Sequence, residues 1–345
     1  MKNIINSFVI FILNLITDNK NKNFDLKKSK NILFVRFDNK VGDTVVDTFF
    51  IKGLRTQTPD AKITVLIRKP YNELLEGNKD IDEIIALPNK KYMQKSLKMI
   101  LKLRKNKYDT IIDIPYNLSM KRIIFYSIIN PKAMVAVNNC KYTFITHALK
   151  TTDVFKYNKH ISVLYASIVS MFGNKSYEKK YFLFPSQKNS NAVNLFLESK
   201  NIQGKKLLFF NTEGSCAERS LSNKKTIDLL ELIINNFYDL KIVLSVFTKN
   251  IDIPVRKEIF VYKADSLMSL VGMVKTSNYI LTPDTGIVHI ADAFNKPMVT
   301  LNWEKTPFIF LSKNDMTIPI MAPYKKDIEY IDNSKIIDSL KKIIC

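Results

Sequence analysis

The chain has 345 residues, 46% of them hydrophobic and 25% charged, a balance that excludes a disordered or collagen-like protein and is long enough for two cores. Its 53 Lys and Arg against 32 Asp and Glu leave a net charge of +21, which attracts polyanions such as nucleic acid, an anionic membrane surface or nucleotide-linked substrates; a Lys- and Asn-rich background composition would give the same number. Cys140, Cys216 and Cys345 form no C-x-x-C pair, and the three histidines, His147, His160 and His289, are scattered, so the sequence speaks for a reducing compartment and against a zinc centre.

Residues 1–30 read as an apolar segment followed by a linker. The run Phe8 to Ile16 is too short to span a bilayer, and no small-residue cleavage site follows it. Ile5, Phe8, Ile12 and Leu15 fall at helical spacing, which suits a short helix lying on a membrane, on another protein surface or on its own domain. Asn19 to Lys30 is polar and Lys-rich.

A first domain, residues 31–185, alternates strand and helix. Ile32 to Val35 predicts a strand, Val45, Val46, Phe49, Phe50 and Leu54 a helix, and Ile63 to Ile67 the next strand. Ile84 to Leu87, a helix from about Lys91 to Arg104, and the strand Thr110 to Ile114 continue the series. A second domain, residues 186–345, opens with a helix to Lys200. It continues through strand Leu207–Asn211, a helix around Ile227–Asn236, strands Ile242–Val246 and Ile259–Tyr262, and helix Ser266–Lys275. Strand Tyr279–Leu281, helix Ile287–Phe294 and strand Met298–Leu301 complete it. This order predicts an α/β protein with two doubly wound parallel sheets built from right-handed crossovers. Facing domains of this kind place strand C-termini, and hence ligands, in a cleft.

The chain has only eight glycines, yet Gly42, Gly214 and Gly286 each sit where a strand-like run turns into a helix-like one. Such junctions let backbone N–H groups approach an anion at a helix N-terminus. Asp284, Thr285 and Gly286 offer donors for a diphosphate, with His289 on the same first turn; the same residues also suit a helix cap beside a buried histidine. Asp43, just after Gly42, suits a general base or a first-turn dipole partner.

Two stretches in the right order carry a resemblance. Arg36-x-Asp38-x-x-Val41-Gly42-Asp43, with Ala61 to Leu66, Glu73 to Asn78 and Ile81 to Ile84, resembles the N-terminal domain of glycosyltransferase family 9, the ADP-heptose:lipopolysaccharide heptosyltransferases. Asp284-Thr285-Gly286-Ile287-Val288-His289-Ile290-Ala291-Asp292-Ala293 resembles that family's donor motif, and the similarity runs from about Asn31 to Pro307. The resemblance implies a GT-B fold, two Rossmann-like domains with acceptor on the first and sugar nucleotide on the second. It implies inversion at the anomeric carbon, with no metal and no cofactor beyond the donor substrate. By the same resemblance Asp43 is the base, while Asp284, Thr285, Gly286 and His289 form the donor-phosphate loop. Ser215 and Arg219 hold the diphosphate, and Asp265 meets the nucleotide base through its backbone.

Several positions depart from the family. Phe49 replaces a Pro, and Asp47 adds a second carboxylate that competes for the base role. A glycine is absent from Ser245 to Lys249, which leaves Asp252 as the nearest acid for the ribose, and Asn302-Trp303-Glu304 replaces a Gly-Pro loop.

Between Lys90 and Lys107 lie eight Lys or Arg and no acid. A buried stripe of Met93, Leu97, Ile100 and Leu101 would leave Lys91, Lys95, Lys98, Lys102 and Lys105 outside, either as a solvated face or as a contact for the phosphates of a lipid-linked acceptor at the inner-membrane surface. The expectation is a cytoplasmic, membrane-peripheral transferase moving heptose from ADP-heptose to a lipopolysaccharide or lipooligosaccharide core. The rivals are a relative with another sugar or acceptor, a silent sugar-nucleotide binder, and a nucleic-acid-binding protein. No helix-turn-helix, zinc or aromatic RNA-binding pattern supports the last, so no nucleic-acid partner is expected.

Overall fold

The computed structural model describes residues 24–88, 97–114, 119–137, 145–149, 160–247, 251–304, 311–312 and 314–344, with backbone alone at Leu97, Lys98 and Met120. The chain forms two compact units: residues up to Asn39 with Asp47–Lys179, and Lys40–Val46 with Lys180 onward. The expected apolar helix of residues 1–17 lies outside the described residues. The last part of the expected linker is docked, because Leu26 is buried in a short turn Leu26–Lys28 and the Ser29 hydroxyl lies 2.7 Å from that of Thr110.

The first unit runs β1 (Asn31–Arg36), α1 (Val41–Gln57), β2 (Lys62–Arg68), β3 (Glu83–Leu87), α2 (Leu97–Lys105), β4 (Thr110–Asp113), α3 (Met120–Ile129), β5 (Ala133–Val137), β6 (His147–Leu149) and α4 (Ile161–Ser170). Its six strands lie in the order β3-β2-β1-β4-β5-β6, every pairing parallel. The central strands are near-continuous apolar runs, as a sheet covered on both faces requires.

The second unit runs α5 (Gln187–Ser199), β7 (Lys206–Asn211), α6 (Asn223–Asn236), β8 (Leu240–Ser245), β9 (Ile259–Tyr262), α7 (Leu267–Thr276), β10 (Tyr279–Pro283), α8 (Gly286–Ala293), β11 (Met298–Asn302), β12 (Thr317–Met321) and α9 (Asn333–Ile344). Its order is β12-β11-β10-β7-β8-β9, again all parallel. Counted within the unit this is the winding of the first sheet repeated, the order of dinucleotide-binding folds. Each sheet reverses direction of growth once, between β1 and β4 and between β7 and β10, and ligands bind beyond the strand ends at such a point.

The basic helix is packed differently from expectation. Leu101 is 45% exposed and Leu103 is 1% exposed, with Met99 and Ile100 partly buried against the same cluster as Tyr126 and Ile129. Ile100 is thus on the packed face as expected, whereas Leu101 is outside and Met99 and Leu103 take its place, because the helix meets α3 along that face. Met93 lies outside the described residues.

Candidate active site

The C-terminal ends of β7 and β10 meet at the turning point of the second sheet. The Asn211 side-chain amide donates to Thr282 Oγ1 at 3.1 Å and to the Glu213 carbonyl at 3.0 Å. The Glu213 carboxylate accepts from the Phe247 backbone N–H at 2.7 Å, tying the loop to the end of β8 as well. Beyond it the chain folds back tightly: the Gly214 N–H donates to Ser220 Oγ at 3.0 Å, and that hydroxyl donates to the Cys216 carbonyl at 2.8 Å. A Cβ on residue 214 would lie 2.2 Å from the Arg219 carbonyl oxygen, so only glycine allows this closure. Ser215 and Cys216 are exposed on the loop, and Arg219 ends a short turn Ala217–Arg219.

The loop delivers Arg219 to the second motif. Its Nη1 lies 3.4 Å from Asp284 Oδ2, and its guanidinium carbon sits 5.9 Å from the centre of the Trp303 ring. Asp284 is nearly buried and is not the helix cap; Thr285 takes that place, its hydroxyl accepting from the Ile287 N–H at 3.3 Å. Gly286 begins α8.

His289 is 6% exposed, and its Nδ1 has no hydrogen-bond partner among the described residues. Burial lowers its pKa to about 4, so the ring is neutral near pH 7 and supplies shape rather than charge. Tyr181 packs edge-on against it, ring centres 5.8 Å apart at 80°. One turn along α8, burial raises Asp292 to about 7, partly offset by the Ser312 hydroxyl 2.5 Å away. The first turn of α1 groups with this unit: a Cβ on Gly42 would lie 2.7 Å from His289 Cδ2. Asp43 follows Gly42, its side chain 24% exposed and 3.5 Å from Lys40 Nζ.

The turning point of the first sheet holds a separate buried network. Asp47 is fully buried, its carboxylate accepting from Arg36 Nε at 2.6 Å, from Arg36 Nη2 and from the Tyr165 hydroxyl at 3.2 Å. At the end of β4, burial raises Asp113 to about 6, against the pull of Arg122, whose Nη1 lies 3.1 Å from both carboxylate oxygens, and of the Tyr126 hydroxyl. Arg122 and Arg68 both lie near the Phe37 ring, 5.1 and 6.0 Å from its centre. The sequence reading missed these two cations, since no local pattern links β2, the turn after β1 and α3.

The structure thus brings Arg219, Asp284, Thr285, Gly286 and His289 together, with Ser215 on the same loop. Asp265, expected to meet the nucleotide base rather than the diphosphate, is exposed beyond β9, which β8 separates from β7. Lys102 is exposed on α2, Lys98 lies on the same helix, and Lys91 and Lys95 lie outside the described residues. Among the described residues no three His, Cys, Asp or Glu side chains are placed to share a metal ion, and no helix is long and apolar enough to cross a membrane.

Two six-stranded parallel sheets of identical winding, each flanked by helices, match the GT-B glycosyltransferase fold. No protein-family model matches the chain. A lipopolysaccharide heptosyltransferase 1 of Campylobacter coli is 24% identical over 277 residues, covering 76% of this chain and 80% of its own. The crystal structure of a family 9 glycosyltransferase from Veillonella parvula superposes with a TM-score of 0.80 at 15% identity, covering 94% of this chain and 99% of its own. The ADP-heptose lipopolysaccharide heptosyltransferase II of E. coli gives 0.74 at 14%, covering 91% and 98%. In sequence the chain is thus similar to lipopolysaccharide heptosyltransferases, and in fold to a family 9 glycosyltransferase.

Proposed function

We propose that this chain is an inverting glycosyltransferase that moves heptose from ADP-heptose to a lipopolysaccharide or lipooligosaccharide core. The observation that carries the reading is Arg219 held beside Asp284 at the turning point of the second sheet, next to the N-terminus of α8. Anions are favoured there by the cation, by the free N–H groups of the first turn and by the helix dipole.

In this reading Asp43 accepts the proton of an acceptor hydroxyl as its oxygen attacks the anomeric carbon. The bond from that carbon to the diphosphate breaks on the opposite side, so the new glycosidic bond is inverted and the nucleoside diphosphate departs with the electron pair. Negative charge growing on the leaving group meets Arg219, the Ser215 hydroxyl and the Thr285–Gly286 turn. His289, being neutral and buried, keeps the first turn of α8 and the Gly42 backbone in register. The exposed cations of α2, with the apolar segment of residues 1–17, serve as a two-part attachment to an anionic membrane surface, since one weak anchor is seldom sufficient.

A thermal-shift series with ADP-, GDP- and UDP-sugars tests the donor. The native state gains stability from what it binds, so ADP-heptose should raise the melting temperature most. A larger shift with UDP- or GDP-sugars would replace the donor, and no shift with any of them would remove the reading.

A further inference from the structure

Trp303 is the only tryptophan of the chain, and it stands just beyond β11, beside the strand that carries Asp284. Its backbone is fixed on both sides. Asn302 turns its side-chain amide onto the Thr300 carbonyl at 3.1 Å and hydroxyl at 3.0 Å, and its carbonyl accepts from the Ala322 N–H at 2.8 Å. Glu304 accepts from the Lys325 N–H, and the indole itself packs on the core cluster that includes Leu301 and Ala322. The ring is therefore a firm surface, and Arg219 lies over it at 5.9 Å.

We propose that Trp303 is a positioning residue that sets the Arg219 guanidinium for the diphosphate of a nucleotide donor, a role that rests on the donor reading above. A long arginine on an exposed loop loses rotamer freedom when it binds a phosphate, and a ring that holds it beforehand removes part of that cost. Contact with a ring face uses none of the five guanidinium N–H donors. Asp284 lies against Nη1, and no other polar side-chain partner of Arg219 is found among the described residues, so its further donors can meet phosphate oxygens. Asp284 alone would fix one end of a planar group; the indole fixes its plane, which a bidentate phosphate contact needs.

Calorimetric titration of ADP into wild type, Trp303→Leu, Trp303→Phe, Arg219→Ala and the double variant Trp303→Leu/Arg219→Ala tests this, with melting curves to confirm folding. Loss of the ring should raise the ADP Kd about tenfold and Trp303→Phe about threefold, the range of a partly buried cation–π contact. In the Arg219→Ala background the leucine substitution should change Kd by less than about twofold, because the two residues act as one unit. Trp303→Met takes the place of the leucine variant if the latter does not fold. An unchanged Kd in the ringless variant overturns the role, as does an equal loss in both backgrounds, which would mean that Trp303 acts without Arg219. Wild type that binds no nucleoside diphosphate overturns the donor reading itself, and this inference with it.

Discussion

Arg36 at the end of β1 and Asp47 in α1 form a two-point ion pair with no exposure of the carboxylate: Nε lies 2.6 Å from Oδ2, Nη2 bonds Oδ1, and the Tyr165 hydroxyl is 2.6 Å from Nη2. Burial opposes the charge on Arg36, but Asp47 and Tyr165 outweigh it and hold its pKa above the ordinary value. The pair spans the turn that carries the glycine and acid at positions 42 and 43. Asp47 thereby ties the start of α1 to the end of β1.

Removing Asp47 takes the buried carboxylate from Arg36 and leaves the guanidinium with the partly exposed Asp38, 3.0 Å from its Nη1, and the Tyr165 hydroxyl. Asp47→Ala should cost about 3–5 kcal/mol of stability in urea unfolding, and the apolar double variant Arg36→Leu/Asp47→Leu should recover a large part of it. A loss under about 1 kcal/mol in the single variant would contradict this account of the network.

The proposed base behaves otherwise. Asp43→Asn should lower turnover by roughly a hundredfold or more while ADP affinity stays within a few-fold, since a general base acts mainly on the transition state. Steady-state kinetics beside an ADP titration read both quantities, and near-normal turnover would take Asp43 out of the mechanism.

At the proposed donor loop the order reverses. Arg219→Ala should weaken ADP binding by about 1.5–3 kcal/mol, and Ser215→Ala by less, because a charge-assisted contact to phosphate exceeds a neutral one. Equal ADP affinity in wild type and Arg219→Ala would mean that this loop does not hold the diphosphate.

Asp292 makes stability depend on pH. Its pKa rises from 3.8 to about 7 on folding, so the folded state binds more protons across that interval and stability falls as pH climbs through it. Asp113, raised to about 6, acts in the same direction, whereas His289, lowered to about 4, loses stability as pH falls from 6.5. Asp292→Asn keeps a partner for Ser312 and removes the buried charge. At pH 8 it should be more stable than wild type by at least about 1 kcal/mol, with the gap closing towards pH 4. A constant difference between pH 4 and 8 would refute the shift.

For the surface reading, replacing Lys91, Lys95, Lys98 and Lys102 by Gln should abolish sedimentation with anionic vesicles at about 0.15 M salt. Activity on a detergent-dispersed acceptor should persist. Vesicle binding equal to wild type would return the helix to an ordinary solvated face, and lost activity on dispersed acceptor would place these lysines in the acceptor site.

Much of the fold was legible because a parallel sheet advertises itself in apolar runs separated by helical periodicity: β9 spans Ile259–Tyr262 as read, and β1, β2 and β3 extend the expected runs by a residue or less at each end. The β12 strand escaped because Pro319 sits within it. It is tolerated there since β12 is an edge strand, with one face of its ladder unpaired. The helix α9 has a clear signal at Ile336, Ile337 and Leu340 that the chain-order reading stopped short of. In the site, the glycine junctions were visible as local chemistry. The partnership of Arg219 with Asp284 and Trp303, like that of Arg36 with Asp47 and Tyr165, joins residues from different crossovers and has no period to read.

The repeated winding also divides each sheet in two. In each sheet the first three strands pair with near neighbours, whereas closing β1 on β4 joins Ile32 to Thr110, and closing β7 on β10 joins Phe209 to Ile280. These are the costly long-range steps, so each sheet is two separately windable halves meeting along one seam. The Asn211–Thr282 bond and the Arg219–Asp284 pair cross the second seam. A ligand lodged beyond it would clasp both halves, and that seam would then be the last joint of the sheet to open.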